Sequence, residues 1–148
     1  MASVSVSQLI IFIASMMIAA SVAGVFTNSV GQLSSAVSEQ GLDVSSDVRT
    51  NVEIISDSGS EVHDGSTITL HIKNTGSEQL GATPGQMDVI VNGTFVTDYD
   101  VTLEPNGGQS WDPGDVVRLD INTGLSPGDH RVKVIVNSDE EVFEFNKP

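Results

Sequence analysis

No charged side chain occurs before Glu39. Within that stretch Ser7 to Phe26 is an almost unbroken apolar run: Leu9, Ile10, Ile11, Phe12 and Ile13 in succession, then Ile18, Val22, Val25 and Phe26 among Met, Ala, Ser and Gly. A membrane-spanning helix needs about 20 such residues, because the hydrocarbon core is roughly 30 Å thick and helix rise is about 1.5 Å per residue. Inside lipid every backbone N–H and C=O must be paired within the segment, so the run is expected to be helical. Ser21-Val22-Ala23 has the small-x-small form of a signal-peptidase site. Against cleavage, no basic residue precedes the run, and Val30, Leu33 and Val37 continue it at helical spacing. The expectation is a retained anchor: one helix from about Val6 to Gln40, capped by Gly41.

The edges of this helix set its surroundings. Glu39, Asp43 and Asp47 follow it with no intervening Lys or Arg, which favours the outside of the cell for everything downstream. Ser15, Ala19 and Ala23 recur every fourth residue, as do Ala20 and Gly24. Such rows let helices approach closely in lipid, and Ala and Gly are also simply common in membrane helices.

The remainder is a different kind of polymer, and residues 42–148 are expected to form one external domain after an anchor-and-stalk segment 1–41. Gly, Asp, Asn and Pro punctuate short apolar alternations, the pattern of an all-β domain. A first strand is expected over Val48 to Ser56. Ile68, Leu70 and Ile72 alternate with Thr69, His71 and Lys73. Asn92-Gly93, between Met87–Val91 and Thr94–Thr97, is a strong signal for a two-residue hairpin. Further strands are expected at Tyr99 to Leu103, Asp115 to Ile121, His130 to Val136 and Glu141 to Asn146. Seven or eight strands in about 100 residues match the spacing of an immunoglobulin-like sandwich, with a barrel as the alternative. Trp111 is expected as a core plug rather than an exposed contact. Val142 to Phe145 is a candidate edge for strand addition by a partner; the alternative is that Glu141 and Glu144 point outward as guards against pairing.

Charge narrows the function. Twenty acidic residues face six basic ones, for a net charge of −14. No basic run exists, so nucleic-acid binding is excluded as an expectation. Such an acidic chain repels itself unless salt screens it, which fits a salt-loving source. The absence of cysteine removes disulfides, zinc thiolates and thiol catalysis. His63, His71 and His130 lack metal-ligand spacing and are expected to be solvated or at edges. Asp112 with Asp115, and Asp98 with Asp100, are expected to serve turns rather than calcium. The expectation is therefore no enzyme, no metal and no cofactor. Asn92-Gly93-Thr94 is also a glycosylation sequon, on residues the turn itself requires.

The apolar helix carries a resemblance. Leu9-Ile-Ile-Phe-Ile-Ala14, followed by Met16-Met-Ile-Ala-Ala-Ser-Val-Ala-Gly-Val-Phe26, resembles the N-terminal helix of archaeal flagellins and their accessory proteins. Flagellin precursors carry a basic residue and Gly just before that helix, where a peptidase cuts. Met1-Ala-Ser-Val-Ser-Val-Ser7 has neither. That start, together with Val48-Arg-Thr-Asn-Val-Glu-Ile-Ile-Ser-Asp57, is similar to the accessory G family of the archaeal flagellum, or archaellum. The resemblance covers roughly the first 58 residues. It implies a non-enzymatic, membrane-anchored element of the archaellum motor, a stator coupling the motor to the surface layer. It also implies archaellum accessory protein F as partner, the surface-layer protein as an indirect one, and self-association. The alternative it leaves is a minor flagellin or pilin whose helices pack into a filament core.

Overall fold

A computed structural model describes residues 2–105 and 107–148; Met1, the start of the expected anchor, lies outside them. The chain divides into two compact units, Met1–Asp43 and Val44–Pro148.

The first unit is helix. α1 spans Ala2–Arg49, so its last turns belong to the second unit. Four hydroxyls in its apolar part are satisfied internally: Ser7, Ser15, Ser21 and Thr27 each donate to the carbonyl four residues back, at 2.7–3.0 Å. A helix in lipid needs this, because no water is present to take those protons. The expected stop at Gly41 is overturned. A glycine cap requires positive φ, and Gly41 is not among the residues that adopt it; it is an ordinary helical residue, tolerated at a cost of about 1 kcal/mol relative to alanine. The helix ends instead at Thr50, whose N–H and hydroxyl both return to Ser46 O, at 2.9 and 3.0 Å. Val48 and Arg49, expected in the first strand, are therefore helical.

The second unit carries ten strands: β1 Val52–Ile54, β2 Thr67–Asn74, β3 Leu80–Gly81, β4 Met87–Val91, β5 Thr94–Val96, β6 Tyr99–Glu104, β7 Ser110–Trp111, β8 Val116–Asn122, β9 Gly128–Val136 and β10 Asp139–Lys147. They form two four-stranded antiparallel sheets, ordered β1-β2-β8-β6 and β10-β9-β4-β5, with a small β3-β7 ribbon. Both sheets keep open edges, so the expected sandwich forms and the barrel does not. The core is the alternation read inward. Ile68, Leu70 and Ile72 of β2, Val117, Leu119 and Ile121 of β8, and Val132 and Val134 of β9 are all fully buried in one cluster. Burying each such side chain is worth about 1.5–3 kcal/mol, which matters in a chain with no disulfide to hold it.

Trp111 is fully buried, as expected. Its Nε1–H donates to Asp115 O at 2.9 Å, and Asn74, also fully buried, donates from Nδ2 to Trp111 O at 3.0 Å. These bonds tie the β3-β7 ribbon to the end of β2.

Candidate anchor and mooring site

Every expected anchor residue lies on α1 and is exposed: Leu9, Ile10, Ile11, Phe12, Ile13, Ile18, Val22, Val25 and Phe26. None of the described residues packs over this surface, and by length and composition the helix is long and apolar enough to cross a membrane. Ser15, Ala19 and Ala23 are likewise exposed, as are Ala20 and Gly24; an added Cβ at Gly24 meets nothing within 4 Å.

Where α1 ends, the second unit grips the chain from both sheets. From the loop after β2, the N–H groups of Thr75 and Gly76 donate to Asn51 O at 2.9 and 2.8 Å, and Ser77 N–H donates to Arg49 O at 3.0 Å. Arg49 also pairs with Glu78 at 3.0 Å, a cation at the negative end of the helix dipole. Gly76 packs flat on this segment: a Cβ there would stand 2.4 Å from Arg49 O and 2.6 Å from Asn51 N. From the other sheet, the β9–β10 turn contributes Asn137, which donates from Nδ2 to Thr50 Oγ1 at 2.8 Å. Beside it, the Asp139 carboxylate accepts Val52 N–H at 2.7 Å. Four consecutive residues, Arg49 to Val52, are thus held by two loops from different sheets.

The carboxylate contacts continue along β1. The Ile54 backbone lies close enough to Glu141 to favour its carboxylate, so Asp139 and Glu141 of β10 both lie against β1. This corrects the expected role of Glu141. Residues three apart on one strand lie on opposite faces, so Glu141 and Glu144 cannot both point outward; Glu144 does, and Glu141 turns inward to β1. Burial, and then the nearby carboxylates of Asp139 and Glu53, push the Glu141 pKa up, against the Ile54 backbone that pulls it down. An acid raised in the folded state contributes stability that is complete below its unfolded pKa and is lost as pH rises through its folded one. Glu141→Gln, which keeps an acceptor for Ile54, is therefore expected to raise the unfolding midpoint at neutral pH. The gain should vanish below the carboxylate range and shrink as salt is added. Thermal unfolding of both proteins across pH checks this.

The remaining candidates are structural. His130 departs from the expectation of a solvated ring. It is buried, donates from Nε2 to Ser126 O at 2.7 Å, and accepts at Nδ1 from Asn92 Nδ2 at 2.9 Å. Asn92 Oδ1 in turn accepts Arg131 N–H at 3.0 Å. Asn92 and Gly93 take φ of 51° and 83°, the hairpin geometry that Asn-Gly signals, and Asn92 stays exposed at its tip. Asp112 accepts bonds from Gln79 and Ser110, and Asp98 from Asn122. These acids brace turns. Among the described residues no group of three His, Cys, Asp or Glu could hold a metal. The mooring contacts of Asn137 and Asp139 left no trace in the sequence reading, because they join residues 87 positions apart.

Most of the chain, helix and sandwich together, matches a known family: the model for archaeal-type flagellin covers residues 2–142. The chain belongs to the archaeal-type flagellin family. The putative flagella-related protein G of Methanocaldococcus jannaschii is 35% identical over 139 residues, spanning 91% of this chain and 89% of that one. In fold, the chain is similar to the archaellum periplasmic stator protein FlaG from Sulfolobus acidocaldarius. That likeness has a TM-score of 0.51 at 18% identity and covers 65% of this chain and 99% of that one. A structure of the archaellum periplasmic stator protein complex FlaF and FlaG from the same organism matches at a TM-score of 0.44 and 16% identity, over 64% of this chain and 84% of that one.

Proposed function

We propose that this family member is a non-enzymatic stator element of the archaellum motor, anchored in the membrane by α1 and presenting its sandwich outside the cell. The observation that carries the reading is the relationship to flagella-related protein G, which spans the anchor and the sandwich alike. The physical parts suit the role. A fully exposed apolar helix gives a foothold in lipid, and the residues after it are gripped by hydrogen bonds from two sheets. The partners we assign are archaellum accessory protein F and, through it, the surface layer; both follow from the N-terminal resemblance. The acidic composition we read as adaptation to concentrated salt, in which a charge of −14 is screened.

Deleting the gene in the source organism is expected to leave filaments assembled while swimming is lost. Normal swimming in the deletion strain defeats the proposal. The flagellin family also includes filament subunits, and the exposed helix favours that as the second reading. Loss of the filaments themselves in the deletion strain would favour it over the stator.

A further inference from the structure

The hairpin tip at Asn92 holds more than a turn needs. Asn92 is the one asparagine of the chain with Ser or Thr two positions on, the spacing of an N-glycosylation acceptor. The turn itself asks only for a backbone that accepts positive φ. The β9–β10 turn obtains this from Asn137, at φ 52°, with Asp139 two residues later. Nothing in the turn requires the hydroxyl of Thr94. Asn92, Gly93 and Thr94 are all exposed.

The Asn92 side chain is held in one orientation by β9. Its Oδ1 accepts Arg131 N–H at 3.0 Å, and its Nδ2 donates to His130 Nδ1 at 2.9 Å. His130 is fixed as the acceptor there, because its Nε2 faces the Ser126 carbonyl at 2.7 Å and must carry the ring proton. A side-chain amide has two hydrogens on nitrogen. Among the described residues only His130 accepts from Nδ2, so one hydrogen is left over. Beside the amide lies a hollow of about 480 Å³, lined by Asn92, Asp129, Arg131, Glu144 and Asn146 among others. Arg131 and Glu144 pair loosely across it at 3.8 Å and are both largely exposed. Asn146 Nδ2 donates to Asp129 Oδ1 at 2.6 Å. Carboxylates, an amide and a guanidinium around an open hollow supply the acceptors and donors that sugar hydroxyls need.

We propose that Asn92 is a modification site: it carries an N-linked glycan whose first sugar lies in this hollow. In the transfer, Nδ2 forms a bond to the anomeric carbon of an activated sugar, a lipid-linked glycosyl phosphate. The anomeric C–O bond breaks, the phosphate leaves with its electron pair, and the displaced Nδ2 proton goes to a base of the transferring enzyme. The second Nδ2 hydrogen stays on the nitrogen and keeps the bond to His130, so the tip retains its geometry after modification. The site is also clear of the mooring. Asn92 is held at Arg131, near the start of β9, and the mooring uses Asn137, just past its other end, about 20 Å away at roughly 3.3 Å per residue. The inference rests on the external placement of the sandwich proposed above and is independent of the motor role.

The full-length chain purified from the source organism is expected to exceed its 15.6 kDa sequence mass, with added mass on the peptide that holds Asn92 and sugar losses on fragmentation. Thr94→Ser is expected to keep that mass. Thr94→Ala, which leaves Asn92 and the turn in place, is expected to lose it with unchanged circular dichroism. An unmodified Asn92 peptide in wild type, or added mass there that survives Thr94→Ala, overturns the inference. Carbodiimide labelling of carboxylates tests the seat of the first sugar. Glu144 is expected to react several-fold less in wild type than in Thr94→Ala, and Asp100, exposed on the other sheet, equally in both. Equal reaction at Glu144 overturns the placement in the hollow. The chain has no cysteine, so Gly124→Cys, treated in intact cells with a membrane-impermeant maleimide, reports the side on which the sandwich lies. A labelled chain with a bare Asn92 defeats the glycan alone; an unlabelled chain with a bare Asn92 defeats the external placement as well.

Discussion

Replacing Trp111 with alanine is expected to cost the sandwich about 3–5 kcal/mol, the range for deleting a large aromatic from a packed core. The side chain is fully buried and is the only tryptophan in the chain. Two losses add. The cavity forfeits the transfer energy and contacts of the indole, and Asp115 O loses one of its two donors, keeping only the Asn74 N–H at 3.0 Å. For a domain of this size each kcal/mol moves the melting temperature by roughly 4–8 °C, so unfolding followed by circular dichroism should shift down by about 15 °C or more. Trp111→Phe restores most of the volume but not the donor, and should fall between alanine and wild type. A loss below about 1 kcal/mol for Trp111→Ala would show that the β3-β7 ribbon contributes little to the fold.

Gly76→Ala is expected to cost about 2–4 kcal/mol, through overpacking and broken hydrogen bonds rather than a cavity. The new methyl group meets two backbone atoms, Arg49 O and Asn51 N, and neither can rotate away as a side-chain tip could. The loop must lift, and the bonds from Thr75, Gly76 and Ser77 to Asn51 and Arg49 lengthen or break. Hydrogen exchange should localise the effect, with faster exchange at those three amides and little change in β8 or β9. Gly124→Ala is the control, since an added Cβ there meets nothing within 4 Å, and it should change stability by less than about 0.5 kcal/mol. Equal losses from the two substitutions would mean that Gly76 matters only as a glycine and not for its close approach.

What could be read in the sequence was what local chemistry dictates. Ile68, Leu70 and Ile72 announced an inward face because a strand repeats every two residues. Asn92-Gly93 announced its turn because few other pairs accept positive φ twice. The apolar run before Glu39 announced a helix because lipid permits little else. What escaped depends on distant partners. β3 and β7 are two residues each and exist because Asn74 holds Trp111 O, a contact no periodicity reports. Gly41 carries the sequence mark of a cap, but glycine permits a stop without requiring one, and the helix runs on to Arg49. Glu141 and Glu144 were both read as outward-facing, although the strand geometry that identified β10 already assigns them opposite faces. The mooring of Arg49 to Val52 is out of reach for the same reason as β3: its partners lie about 25 residues on, at Thr75 to Glu78, and near the far end of the chain, at Asn137 and Asp139.

The mooring has a mechanical consequence. A strand held along one side only peels under tension one bond after another, and its strength is that of a single bond. Here a tug arriving at Arg49 meets the loop after β2 and the β9–β10 turn within four residues, one from each sheet. The load is divided between both layers before it reaches the first strand, so the contacts must yield nearly together. A domain end fastened this way resists being unzipped, as the stator role proposed above would require.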